Sequence, residues 1–262
     1  MFMNVHKLVV IMTVSVAILV GCKSHPQYLS LDTEKDRILV FSKTAGFRHK
    51  SIPAGIACIR EILGPDIQVD ATEDSSAFTK ENLDRYGAVV FLSTTGDVLD
   101  EQQQTAFANY IEGGGGFVGI HAASDTEHSW PWFAQMIGAH FAGHPPVQQA
   151  VIVVEDRSHP TTDFLPERWV RTDEWYRFNR NPRSVEGIQV LAVLDESTYK
   201  GGGMNADHPC IWWRMMGKGR CWYTAGGHTE ESFSEPLFRK QLRVAIAWAG
   251  IPMRCGGTSM SR

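Results

Sequence analysis

The chain has 262 residues, with 25 basic and 29 acidic side chains and a formal net charge of −4. It has no long run of either sign and so no electrostatic footprint for nucleic acid; the expected partner is neutral or small. The five cysteines, Cys22, Cys58, Cys210, Cys221 and Cys255, contain no CxxC pair, which excludes a zinc knuckle and a thioredoxin-like motif, and their spacing assigns no disulfide.

The first 22 residues read as an address. Lys7 precedes an apolar run over 8–20 that is too short to span a bilayer comfortably as a permanent helix, and Leu19, Val20, Gly21 and Cys22 close it as a lipobox. Residues 1–22 are therefore expected to be a lipoprotein signal peptide. Cys22 becomes the lipidated first residue that ties the protein to a membrane, 23–36 a polar tether, and 37–252 one domain with a full core. The expected location is exported, periplasmic or cell-surface. Lys23 and Ser24 lack an inner-membrane retention aspartate, which favours the outer membrane.

In chain order, 37–42 is a short strand, followed by a loop with Gly46 and a helix over 52–63. Pro53 sits in that helix's first turn, where its missing N–H costs nothing, and Gly64-Pro65 stops it. A second strand at 67–70, a helix over 79–86 capped by Thr79, and a buried strand at 88–93 follow. Residues 100–112 read as a helix with Asp100 as N-cap, halted by Gly113 to Gly116 before a strand at 117–120. Alternation at these lengths implies a parallel sheet covered on both faces, with ligands at the carboxyl ends of its strands. The second half reads as strands at 148–154, 169–176, 189–194, 209–215 and 220–224, with a hairpin turn at 217–219 and a closing helix over 235–249. The fold class expected is α/β, a doubly wound parallel sheet with an antiparallel C-terminal extension.

His121 ends the 117–120 strand and Asp125 follows four residues on. Such a strand-to-helix turn thrusts a side chain into the ligand crevice, and His121 is expected to reach a solvent-accessible hollow there. The preceding tetraglycine reads as a helix stop and tight loop, with a phosphate cradle as the other reading.

Several ordered motifs run along the chain. They are Phe41-Ser-Lys-Thr-Ala-Gly-Phe-Arg-His49, Gly119-Ile-His121, Phe141-Ala-Gly-His-Pro145, Ser158-His-Pro160, Thr172-Asp-Glu-Trp-Tyr176, His208-Pro209 with Trp212 or Trp213 beyond it, and Gly217-Lys-Gly-Arg220 leading to Gly226-Gly-His-Thr229. On these the sequence resembles the ThuA-like (trehalose utilisation) family. The resemblance implies a flavodoxin-like fold similar to class I glutamine amidotransferases, and a link to bacterial use of disaccharides. It suggests a step on 3-keto-sugars or 3-keto-glycosides, with a sugar oxidoreductase as a possible pathway partner. The amidotransferase turn carries a nucleophilic cysteine where this chain has His121, so glutaminase activity loses its warrant.

The candidate catalytic residues are His121, Glu174, Asp125 and His228, imidazoles and carboxylates suited to moving protons on a small carbohydrate. The candidate substrate-binding residues are His49, Arg48, His144, His159, Trp175, Tyr176 and Trp130; the tryptophans offer flat faces to a pyranose ring, and Arg48 or Asp173 polar partners for its hydroxyls. His128 and His140 read as structural. No cofactor is assigned, but a divalent metal held by His121, Asp125, His159 and His228 is a further possibility. His140 and His144 have the spacing of helical zinc ligands, but Gly143, Pro145 and the missing glutamate of HExxH argue against that pair. The leading expectation is an enzyme that cleaves (as a hydrolase or lyase) or isomerises a (3-keto-)disaccharide or glycoside; the alternative is a non-catalytic sugar-binding lipoprotein.

Overall fold

The computed structural model describes residues 37–250. The expected signal peptide, lipidated Cys22, tether and end of the domain at residue 252 lie outside the described residues, as does Cys255. Among the described residues no helix is long and apolar enough to cross a membrane, and Cys58, Cys210 and Cys221 are free and buried.

The chain alternates β1 (Arg37–Phe41), α1 (Ile52–Leu63), β2 (Gln68–Thr72), α2 (Lys80–Leu83), β3 (Ala88–Leu92), α3 (Glu101–Glu112), β4 (Gly116–Ile120) and α4 (Pro131–Ile137). It continues through β5 (Phe141–Gly143), β6 (Gln148–Val154), β7 (Arg168–Asp173), β8 (Arg177–Phe178), β9 (Gln189–Asp195), β10 (Pro209–Met216), β11 (Gly219–Thr224) and α5 (Pro236–Gly250). Local chemistry sets the boundaries. The Asp100 carboxylate accepts from the N–H groups of Gln102 and Gln103 while the Gln103 side chain reaches back to the Asp100 N–H, a reciprocal cap that starts α3. Thr79 likewise caps α2 by accepting from the Asn82 N–H.

Nine strands form one sheet in the order β2-β1-β3-β4-β11-β10-β9-β6-β7. The pairs β2–β1, β1–β3, β3–β4 and β4–β11 are parallel; this half has the flavodoxin-like order, and β3 and β4 are buried along their whole length because helices cover both faces. From β11 onward every pairing is antiparallel. The expected architecture is therefore present, and β11, last of the strands in the chain, lies inside the sheet, parallel to β4. Each antiparallel step reverses direction, so β9 and β7 run the same way as β4, while β10 and β6 run against it. The loop after β7 thus shares an edge with the loops after β1, β3, β4 and β11.

On one face Phe78, Phe107 of α3 and Phe133 of α4 pack against Phe91 and Phe117 with ring centroids 5.3 to 6.2 Å apart. On the other, α5 presses on the start of β4: a Cβ at Gly116 would stand 2.5 Å from the Ala249 backbone. The expected helix over 79–86 contracts to Lys80–Leu83, and the expected strand at 169–176 stops at Asp173. Residues 177–178 instead pair with β5 as a separate two-stranded ribbon.

Candidate functional site

The edge formed by the carboxyl ends of β1, β4, β7 and β11 gathers four side chains, each placed by its own loop. After β1, Thr95 pins the chain by accepting from the Gly46 N–H and donating to the Phe47 carbonyl. Ser51 then ties this loop to the one after β11 by donating to the Gly227 carbonyl, so His49 is fixed between them. After β4 the backbone turns left-handed at His121, φ +52°, a conformation that costs a non-glycine residue about 1 kcal/mol. The Tyr223 hydroxyl, 2.8 Å from the His121 carbonyl and 2.9 Å from Ser124 Oγ, holds that turn.

Glu174 and His228 are set by one buried anion. Asp173 Oδ1 accepts from the N–H groups of Glu174 and His228, and Oδ2 from the Gly227 N–H and the Ser232 hydroxyl. Arg171, itself buried, lies 3.4 Å from the same carboxylate and bonds Glu235 at the foot of α5. The end of β7 and the loop after β11 are therefore clamped together.

The result is a compact cluster. His121 Nε2 stands 3.3 Å from His228 Nδ1 and 3.5 Å from Glu174 Oε2, and the last two are 3.1 Å apart. His49 joins them, with one ligand-type atom from each of the four residues all within 4.8 Å of one another. His121 Nδ1 donates to the Ala225 carbonyl at 2.8 Å, so its Nε2 is the nitrogen turned to the cluster. His144 Nδ1 lies 2.9 Å from Glu174 Oε1 and makes its hydrogen bond to the Pro145 carbonyl at 3.0 Å. The Tyr176 ring covers His121 at 4.1 Å, and His49 Nδ1 is buried without a hydrogen-bond partner.

Burial raises the Glu174 carboxyl, but hydrogen bonds and charge from His121 and His228 outweigh it and bring it down to about 2. Burial, reinforced by the neighbouring imidazoles, pushes His49 down to about 3. The hydrogen bond to Glu174 raises His228. A carboxylate, a neutral imidazole and a more basic imidazole in mutual contact can take a proton at one atom and deliver one at another. The same donor set also suits a transition-metal ion.

The family's sequence model, described as trehalose utilisation, matches residues 37–249. The chain belongs to the ThuA family. Among solved structures it is similar to a ThuA-like protein from Bacteroides uniformis ATCC 8492, at 25% identity and a TM-score of 0.71, covering 86% of this chain and 95% of that one. A ThuA-like protein from Parabacteroides merdae ATCC 43184 follows at 20% identity and a TM-score of 0.68, covering 83% and 92%. The β-galactosidase of Bacillus circulans sp. alkalophilus shares the fold over 84% of this chain but only 32% of its own length, at 12% identity and a TM-score of 0.52. No curated protein matches the chain.

Within this ThuA domain the expected site residues divide cleanly. His121, Glu174, His228 and His49 converge, with His144 and Tyr176 in contact with them. Asp125 does not: the chain leaves His121 as a 3-10 turn, His121–Asp125, and Asp125 pairs with His128 at 2.8 Å. His159 is also elsewhere, because it follows β6, which runs against β4 and ends at the opposite edge of the sheet; its ring packs on Trp213 and Trp248. The metal set of His121, Asp125, His159 and His228 is corrected accordingly.

Trp175 is buried and donates to the Gln148 carbonyl, so it offers no face to a sugar. Trp130 stacks on Trp132 over a surface groove of about 410 Å³ along α3, with neither in contact with the histidine cluster. Arg48 pairs with Glu73. Asp173, expected to receive hydroxyls, has its lone pairs filled by four protein donors. His140 bonds the Ser124 carbonyl and stacks on His128, whereas His144 turns to Glu174, so the two share no ligand site. The His121 ring is fully buried rather than open to a hollow; solvent reaches the cluster past His228, 25% exposed, and His144, 41% exposed. The tetraglycine precedes β4 and lies at the edge away from the cluster, which excludes a phosphate cradle there.

Proposed function

We propose that the protein is a carbohydrate-active enzyme that cleaves or isomerises a keto-sugar derivative, such as a 3-keto-disaccharide or 3-keto-glycoside. The meeting of His121, Glu174 and His228 within 3.5 Å carries this reading. Burying a carboxylate among imidazoles costs stability, and sites that only bind sugars are built from amides and aromatic faces, so a cluster of this kind is maintained for chemistry. In cleavage, a keto group at C3 acidifies the C2 proton. Glu174 or His121 takes that proton, and the electron pair left behind forms the C1–C2 double bond as the C1–O bond breaks. The leaving oxygen is then protonated from the solvent side by His228. Phe47, 65% exposed and edge-on to His49, gives a ring face at the entrance for the pyranose.

Incubating the protein with trehalose and with its 3-keto form tests the proposal. Monosaccharide release from the keto form is expected, reduced at least about 100-fold by His121→Ala and Glu174→Ala. Undiminished turnover in both variants refutes the assignment, and binding without turnover across a panel of keto-glycosides leaves the sugar-binding alternative. The exported, lipid-anchored location rests on Leu19, Val20, Gly21 and Cys22. Labelled palmitate incorporated only while Cys22 is present is the expected result, and incorporation unaffected by Cys22→Ser counts against it.

A further inference from the structure

The triangle His121 Nε2, His228 Nδ1 and Glu174 Oε2, with edges of 3.1, 3.3 and 3.5 Å, is difficult to satisfy with protons alone. A hydrogen bond joins two heavy atoms nearly in line, and three mutually close atoms cannot all be joined that way. His121 gives its Nδ1 proton to the Ala225 carbonyl, so the neutral ring turns the lone pair of Nε2 toward a carboxylate oxygen, itself an acceptor. The single proton of His228 Nδ1, 3.3 Å from one acceptor and 3.1 Å from the other, can point in line to only one of them, whereas a cation seated among the three atoms satisfies all of them together.

We infer that His121, His228 and Glu174 bind a divalent first-row transition-metal ion, with His49 beside it. An ion with tetrahedral bonds of about 2.0–2.1 Å sets its ligand atoms about 3.3–3.4 Å apart, which is the size of this triangle. Two imidazoles and a carboxylate leave a further position open, as catalytic sites do, and the nitrogen donors exclude calcium and magnesium, which require oxygen. The surrounding contacts are those that orient metal ligands. The Ala225 carbonyl fixes the His121 tautomer, His144 stands 2.9 Å from the remaining oxygen of Glu174, and Asp173 holds the backbones of Glu174 and His228. The buried, unpartnered Nδ1 of His49 is a second sign that a group is expected here. The ion would polarise the carbonyl of a bound keto-sugar and stabilise the enolate formed beside it, and with His121 Nε2 engaged as a ligand the proton transfers fall to Glu174 Oε1, His228 Nε2 and His49 rather than to His121.

The inference rests on the reading of this cluster as the reactive centre, but its test needs no turnover. The full chain, freed of any polyhistidine tag and purified without chelator, is expected to carry about one equivalent of a first-row metal per chain. After stripping, titration with zinc chloride should restore one-to-one binding, and cobalt(II) chloride should give visible ligand-field bands. His121→Asn, His228→Asn and Glu174→Gln are each expected to weaken zinc binding at least about 100-fold, while His159→Gln leaves it unchanged. Stripped wild-type protein that keeps its circular dichroism but takes up neither zinc nor cobalt overturns the inference, whatever the variants do. Metal bound without turnover of any keto-glycoside refutes the enzymatic reading and leaves the metal site standing. Turnover undiminished after complete stripping overturns the ion's part in the chemistry and leaves the enzymatic reading standing.

Discussion

Asp173 shows how much of the cluster's geometry depends on a residue that touches none of the reacting atoms. Its carboxylate receives four hydrogen bonds and faces Arg171, so the charge is both paired and saturated. Asp173→Asn keeps the volume but turns an NH2 group toward N–H donors and leaves Arg171 with Glu235 alone. The expected cost is about 3 kcal/mol in chemical denaturation, with weakened zinc binding as His228 loses its backbone anchor. A loss below about 1 kcal/mol would mean that the loop is held by other contacts. The members of the cluster were legible in the sequence because each lies in the loop that follows a strand, in a short motif with polar residues. Asp173 was legible only as a carboxylate: whether an aspartate meets a sugar or four backbone and side-chain donors depends on the loop after β11, more than fifty positions away in the chain.

At the scale of elements, strand direction decides which loops can share a site. The expectation that ligands gather at the carboxyl end of a strand leads to one shared edge for β1, β4 and β11 and to the opposite edge for β6. Composition and alternation identify a strand but carry no sign of its direction, because side chains alternate in the same way whichever way the strand runs. Sequence alone therefore does not separate His159 from His121, which the sheet holds at opposite edges. The spacing from His121 to Asp125 misleads for a related reason. Four residues bring two side chains onto one face of an α-helix, but the left-handed start at His121 produces a 3-10 turn, and Asp125 swings to His128. The tetraglycine shows the opposite case, in which packing accounts for the second half of a weak motif. A Cβ at Gly115 would meet the Tyr110 ring at 2.3 Å and one at Gly116 the Ala249 backbone at 2.5 Å, so close packing of α3 and α5 on β4 explains both.

For the whole molecule, the sheet order carries information that local patterns lack. The regular succession of strand and helix, and its loss later in the chain, separates the two halves of the sheet, but the insertion of β11 beside β4 is set by tertiary packing, through Tyr223 holding the His121 turn and the Ala225 carbonyl its ring. The edge remote from the cluster holds a group that links the fold to pH. His159, packed on the two tryptophans, is pushed down to about 4 by burial, with Asp156 opposing the shift only in part. An unfolded chain protonates this imidazole near 6.5, so between about pH 6.5 and 4 the unfolded state binds more protons than the native one, and stability falls as pH falls through that window. The loss attributable to this one ring is about 3 kcal/mol at most, complete once the pH is below the folded value. His159→Gln removes the titration. Urea unfolding from pH 7 to pH 4 should therefore show the wild type's advantage over this variant shrinking steadily with acidity. A difference that stays constant over the range would mean that the His159 imidazole is not held neutral by the fold.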